Sequence, residues 1–529
     1  MSATVTPGGA SGARGRSVAA AILIGAVSAA TLGLVVLTEG NAFAALAPAL
    51  GVGFLFLLWK MPLRYTIYFL IYCGLTLQNP YEAFGHHQFE NALTPVSWLL
   101  LANMNITTHI PAMNFTGLDV LMAICWIILG YRRATGSRID AGPRTETARP
   151  MLVFALVSLL TNLVFWAWGL SRGGDVSHSI WQIHKILEAP LFFFLCQAAL
   201  RGAQDVPALG LVILASGLER AIRAVYVRQA IVMPGVDGSL GYATTHADSM
   251  LFVSALGILL ALALEQRDRK AIIRFVLGTA ALVAGMVANT RRLAWIEVAF
   301  LLVTFGLMTP RTWLKVKVGR AILYVLPLVV AYLAAGWGST SGVFAPVKTV
   351  RSIIDSKSDG STLWRDMENM NLIYTLGAHP FLGPGFGHPY DEVIPLPDIS
   401  SAFEAYRFNP HNAVLGLWAF GGLIGFSGMW IMLAVCVFLA SRAYRFSQRP
   451  IERAAALACI GIVIAFTNQA YGDLGISSWT GVFIIAPAMA AAGKLAVHTG
   501  AWPKVRRRGP RQVAEAVPVR APAGAVAIP

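Results

Sequence analysis

Apolar runs, broken by short polar punctuation, fill most of the chain. They fall at roughly 17–38, 41–59, 65–79, 118–131, 151–169, 178–200, 206–232, 250–264, 271–289, 293–309, 321–337, 412–440, 453–469 and 478–497. A bilayer core takes about 20 apolar residues as a helix. Backbone groups that meet no water must bond within their own segment, which favours helices. The pattern predicts an all-α polytopic membrane protein with about 14 transmembrane helices, in a range of about 12–14. The first run, Ser17 to Thr38, exceeds a signal-peptide core and has no cleavage-site pattern, so it is expected to stay as a span.

The polar segments between runs alternate in charge. Arg132, Arg133, Arg138, Arg144 and Arg149 share one loop. Glu265 to Lys270, then Arg311, Lys315, Lys317 and Arg320, then Arg442, Arg445, Arg449 and Arg453, and last Lys504 with Arg506 to Arg508 mark others. Between these lie neutral or acidic loops. Pro80 to Gly117 holds His86, His87, Glu82 and Glu90 but no Lys or Arg. The excess of basic residues in cytoplasmic loops puts both termini inside. The expected divisions are a cytoplasmic tail (1–16), a transmembrane bundle (17–337), a large external loop (338–411), C-terminal transmembrane helices (412–497) and a basic, then disordered, cytoplasmic tail (498–529).

The external loop organises the rest. It opens on Gly338-Ser-Thr-Ser-Gly342 and continues into a helix from Ser361 to Leu376, with Ser361 as cap and Gly377 as stop. Leu363, Met367, Met370 and Tyr374 recur at helical spacing, which makes that helix amphipathic. The run His379-Pro-Phe-Leu-Gly-Pro-Gly-Phe-Gly387 reads as a turn, because prolines surround it and no helix follows. The loop closes on Pro410-His411-Asn412, where the next run begins.

Composition narrows the classes. Hydrophobic residues make up 56% of the chain and charged residues 13%, and the formal charge is +15. In a membrane protein that excess is what internal loops require, so no nucleic-acid partner is expected. The five cysteines lie inside apolar runs without CxxC spacing and read as small core residues. The histidines lack metal-ligand spacing, and neither a metal nor another cofactor is expected. The chain has no P-loop, Rossmann fingerprint or GxSxG motif. It also lacks the internal repeat expected of many transporters.

Several charges break the topology rule. Arg220, Arg223, Arg228, Arg291, Arg292, Lys348, Arg351, Lys357, Arg365 and Arg407 fall on or near the outer face. Ionisable groups in the membrane are costly and tend to mark function. Arg220 and Arg223 share a helical face, and Arg291 and Arg292 occupy a tight turn between two runs. Guanidinium binds phosphate bidentately and keeps its charge when partly desolvated, so the group suits a polyanion. The alternative is local pairing, such as Arg220 with Glu219 and Arg365 with Asp366. His411 has two readings: acceptor of a proton from a hydroxyl nucleophile, or a helix-start residue with interfacial hydrogen bonds.

The segments Thr362-Leu-Trp-Arg365, His379 to Gly387, His411-Asn412-Ala-Val-Leu415 and Gly421-Gly-Leu-Ile-Gly425 resemble the C-terminal signature of the O-antigen ligase and O-antigen polymerase superfamily. Asn289-Thr-Arg-Arg292-Leu-Ala-Trp295 resembles its S-R-G-x-W turn, with Leu293 where glycine is usual and either Arg291 or Arg292 as the family arginine. Gly238 to Tyr242, leading to Asp248, resembles the family segment before the next span. The resemblance implies a C-type glycosyltransferase-like fold. It also implies a metal-independent enzyme of the bacterial inner membrane, with its active site on the periplasmic face. Such an enzyme moves a glycan from a polyprenyl-diphosphate carrier to an acceptor hydroxyl, on a glycan or on lipid A-core, in O-antigen or exopolysaccharide assembly. On this resemblance His411 is the catalytic residue, and Arg292, Arg291, Arg365, Arg223 and Arg220 are the diphosphate-binding candidates. Membrane lipid and polysaccharide chain-length or export proteins are the expected partners. A lipid-linked oligosaccharide transporter and a non-catalytic assembly partner remain the alternatives.

Overall fold

A computed structural model describes residues 9–37, 39–40, 42–77, 94–110, 113–232, 243–310, 313–339, 341–344, 347, 350–351, 360–400, 404–473 and 475–503. His86, His87, Lys348, Lys357, Gly238 to Tyr242 and the basic cluster at Arg506 lie outside the described residues. The fold is all-helical, 79% helix, with no strand among the described residues. The helices are α1 (Gly9–Leu37), α2 (Ala42–Lys60), α3 (Leu63–Thr76), α4 (Thr94–Leu101), α5 (Met104–Thr108), α6 (Gly117–Ala134), α7 (Arg149–Ser171), α8 (Val176–Ala199), α9 (Val206–Val227), α10 (Asp248–Gln266), α11 (Arg269–Asn289), α12 (Arg292–Met308), α13 (Trp313–Gly336), α14 (Gly360–Ala378), α15 (Ala413–Phe446), α16 (Pro450–Gly472) and α17 (Trp479–His498).

Each apolar run of the sequence coincides with a helix, but length and polarity set limits on what each can span. Among the described residues, 7 helices are long and apolar enough to cross a membrane: α7, α10, α11, α13, α15, α16 and α17. Four of the others fall short for visible reasons. α3 has only 14 residues and α12 only 17. α8 carries His178, His184, Lys185 and Glu188, and α9 carries Glu219, Arg220 and Arg223.

Burial sorts the helices. α17 is the axis: every residue of its membrane-length window is buried, whereas none in α13 is. Small residues Ala488, Ala490, Ala491, Ala492 and Gly493 allow that enclosure, because they let neighbouring backbones approach. The five cysteines are free and buried in this core.

Two ends are distinct. At one end the basic loops interlock: Arg132 pairs with Asp140 at 2.7 Å, Arg453 with Glu265 at 2.8 Å, and Lys494 Nζ donates to the Thr145 carbonyl at 2.9 Å. The other end gathers the α7–α8 hairpin, the α11–α12 turn, α14 and the first turns of α10, α15 and α17.

α15 is bent. Gly422 has φ 58° and ψ −166°, a conformation open only to glycine, and the helical ladder breaks there. The released amides of Leu423 and Ile424 donate to the carbonyls of Pro380 and Phe381, at 2.9 and 3.3 Å. The glycine-rich run thus docks into the bend. A Cβ on Gly422 would lie 2.3 Å from the Phe381 carbonyl carbon.

Candidate active site

His411 is held by the loop helix. The Glu368 carboxylate, 1% exposed, accepts the His411 backbone amide at 3.0 Å and lies 3.3 Å from the imidazole Nδ1. With Nδ1–H directed to a carboxylate, Nε2 is the nitrogen left with a lone pair. The imidazole is 26% exposed. The helix start belongs to the next residue: the Asn412 side chain accepts from the Leu415 amide at 3.0 Å, while its Nδ2 donates to Asn369 Oδ1 at 3.0 Å.

α14 turns its polar side inward. Asn371 accepts the amides of Val393 and Ile394 and donates to the Ile394 carbonyl, and the Thr375 hydroxyl accepts the Asp391 amide. A loop that would otherwise leave backbone groups unsatisfied is stitched to the helix. The apolar stripe read from the sequence faces away: Leu363, Met370 and Tyr374 are exposed, and only Met367 packs against the core. The helix also runs one residue past Gly377, the expected stop.

Arg365 and Glu368 lie one helical turn apart on α14, so they point to neighbouring parts of the site. Arg365 reaches Asp473 Oδ2 at 3.6 Å. The same oxygen lies 2.5 Å from His246 Nδ1, and His246 Nε2 lies 3.1 Å from Arg291. Arginine can only donate, so Nε2 accepts and the ring proton sits on Nδ1, beside the Asp473 carboxylate. The result is a chain, Arg291–His246–Asp473–Arg365, joining four separate elements. Asn289 supports it by accepting the Thr244 amide at 3.1 Å and donating to the Thr245 carbonyl. Arg292, which begins α12, is half-buried beside Arg291.

The other arginines have partners unlike those the sequence suggested. Arg220 is 2% exposed and pairs with Asp248 at 2.7 Å, not with Glu219. Arg223 takes Glu219 instead and donates to the Thr76 carbonyl at 3.0 Å. The one-turn spacing between Glu219 and Arg223 made that pair reachable, and Asp248 is 28 residues from Arg220 and invisible to local spacing. Arg365 faces Asp473 rather than its sequence neighbour Asp366. Arg407 pairs with Glu392 at 2.6 Å, and Arg228 is half-buried in the wider turn Arg228–Val232 after α9.

The run from Gly383 to Gly387 is a turn packed on the α7–α8 hairpin. Gly385 has φ +89°, and a Cβ there would meet Gly169 Cα at 2.4 Å. Gln182 fastens the run, accepting the Gly387 amide and donating to the carbonyls of His388 and Phe408. Nearby, Asp175 caps α8, and the backbone amide of His178 holds its carboxyl below the usual range. Burial, with Glu368 and Glu392 close by, pushes the Tyr390 phenol up.

Asp119, His184 and Glu188 bring metal-capable atoms within 4.8 Å of one another. His184 Nε2 is already 2.7 Å from Asp119 Oδ1, and the Lys185 ammonium lies 3.2 Å from His184 Nδ1, a poor neighbour for a cation. A cavity of about 330 Å³ lies among α9, α10, α16 and α17, toward the end that carries Gln266, Arg274 and Glu452, remote from His411.

The helices and this loop site define the class: an all-helical membrane protein that gathers arginines and a carboxylate-anchored histidine at one end. Residues 277–430 match the family described as O-antigen ligase, a match that supports the O-antigen ligase and polymerase superfamily. The match takes in the Asn289–Arg292 turn, α14, His411 and the bend at Gly422, and places the chain with membrane proteins of polysaccharide biosynthesis. No curated protein matches the chain.

Proposed function

We propose that the protein transfers a glycan from a polyprenyl-diphosphate carrier to an acceptor hydroxyl at the periplasmic face of the bacterial inner membrane. His411 Nε2 accepts the acceptor's hydroxyl proton as the new glycosidic bond forms. The bond from the anomeric carbon to the diphosphate breaks, and its electron pair leaves with the carrier. Arg291 and Arg365, with Arg292 beside them, stabilise the charge that grows on the leaving diphosphate, and on this reading need no metal to do so. Arg220 and Arg223 hold the bundle behind them. The observation that carries the proposal is the Glu368–His411 pair, one helical turn from Arg365 and its linked Arg291.

The same reading keeps a C-type glycosyltransferase-like bundle of about 14 spans with both termini cytoplasmic. It also keeps the divisions at 16, 337, 411 and 497. The shorter and more polar helices cross with the help of buried ion pairs such as Arg220–Asp248. The outward stripe of α14 rests on the membrane surface.

The test is transfer in proteoliposomes from a polyprenyl-diphosphate oligosaccharide, comparing wild type with His411→Ala, Arg291→Ala and Arg292→Ala, with and without lipid A-core. Ladders without core mean a polymerase, and one shifted band only with core means a ligase. Donor movement across the bilayer with no transfer sinks the enzyme and favours the transporter. Transfer that survives loss of His411 and the arginines favours a non-catalytic partner.

A further inference from the structure

Asp473 lies outside the matched family segment, at the end of α16, yet it sits between the arginines proposed to hold the diphosphate. One oxygen, Oδ2, is 3.6 Å from Arg365 and 2.5 Å from His246, whose far nitrogen accepts from Arg291. Its carboxylate side chain is 7% exposed, whereas Arg365 is 32% and His246 38% exposed. The carboxylate therefore lies deeper than the Arg365 guanidinium and the His246 ring, both of which stay partly exposed.

Resting on the proposed function, we infer that Asp473 is a resident counter-anion of the diphosphate site, one that weakens product binding enough for the carrier to leave. The chemistry creates the need. Transfer replaces an ester linkage by a free phosphate oxygen, so the product diphosphate carries more negative charge than the donor. Arginines that stabilise the leaving group also retain it, and product release then limits turnover. A fixed carboxylate against Arg365, and joined to Arg291 through His246, lowers the potential felt by a bound anion at all stages and shields the arginines from mutual repulsion when the site is empty. Asp473 acts through Arg365 and the His246–Arg291 pair and touches no substrate.

The sign of the effect separates this role from simple scaffolding. Asp473→Asn keeps an oxygen for His246 Nδ1–H and removes the charge. Inorganic diphosphate, used as an inhibitor of transfer, is expected to bind that variant roughly three- to ten-fold more tightly, at moderate ionic strength. Steady-state turnover is expected to fall while the first turnover, seen in rapid-quench assays, is kept. Arg365→Gln is expected to move diphosphate affinity the opposite way. Asp473→Ser, also neutral and still an acceptor for His246, carries the same expectation should the asparagine variant fail to fold. Unchanged or weaker inhibition in the neutral variants, with transfer intact in wild type, overturns the counter-anion role and leaves the proposed function standing. A wild type that transfers nothing and ignores diphosphate overturns both.

Discussion

Glu368 holds His411 twice, through the backbone amide at 3.0 Å and through Nδ1 at 3.3 Å, from a position 1% exposed on a helix 43 residues earlier. Ring orientation and tautomer are therefore set by one carboxylate. A base oriented by a third group is the arrangement that activates a hydroxyl nucleophile. Replacing Glu368 by Gln is expected to lower kcat about 10- to 100-fold with little change in donor KM, and His411→Ala to lower it by about 10²–10⁴-fold. Initial-rate kinetics in proteoliposomes check both; a glutamine variant with wild-type kcat would detach Glu368 from the chemistry.

Arg220 and Arg365 are expected to separate by what they damage. Arg220→Met leaves Asp248 charged and buried without its partner, which costs about 3–5 kcal/mol and shows as a large drop in melting temperature in detergent. Arg365→Gln, at a half-open position, is expected to leave melting nearly unchanged and raise donor KM. If both variants melt like wild type, Arg220 is not a structural residue.

Gly422→Ala is expected to disrupt the loop between α14 and α15. The backbone there costs a side chain about 1–3 kcal/mol, and the added Cβ has no room against Phe381. Limited proteolysis between Ala378 and His388 should quicken while the bundle stays resistant. Equal cleavage of variant and wild type would contradict the docking of the run in the bend.

Asp175 makes a prediction with a pH sign. Its carboxyl lies below its ordinary value because the His178 amide bonds it in the folded state. The stabilisation is present above the unfolded value of about 3.9 and is lost as pH falls through the lower, folded value. Asp175→Ala should therefore cost about 1 kcal/mol at pH 7. Its deficit should shrink as the medium is acidified to about pH 3, read as the difference in melting temperature at each pH. A deficit that stays constant over that window would mean the cap contributes nothing through its charge.

Much of the fold was legible because apolar length is a local signal. Every predicted run became a helix, and the loop helix, expected from Ser361 to Leu376, spans Gly360–Ala378. The turn at Gly383 to Gly387 was legible from its prolines, and His411 from its place where loop meets span. The carboxylates were missed. Glu368, Asp248 and Asp473 decide what His411, Arg220 and Arg365 do, yet they pair with them from 43, 28 and 108 residues away. A usable signal was present: Asp248 and Asp473 sit at the edges of apolar runs, and Glu297 inside one, where ionisable groups are costly whatever their sign. The rule that singled out the arginines applies equally to the acids. The outward stripe of α14 was out of reach, because periodicity names a face without saying which way it points.

The bend at Gly422 also decides what moves with what. Before it, the first turns of α15 are tied to α14 through Asn412 and Asn369 and meet the glycine-rich run where the Phe420 carbonyl accepts the Gly385 amide, while Leu423 and Ile424, just past the bend, hold Pro380 and Phe381. Below it the helix is locked by α16 and α7. One continuous helix in the chain is thus two mechanical parts, with its upper segment belonging to the loop that carries His411. A tilt about that single glycine would swing the histidine and its carboxylate against a turn that stays fastened to the lower helix and the α7–α8 hairpin, as a lever whose fulcrum lies within the membrane bundle.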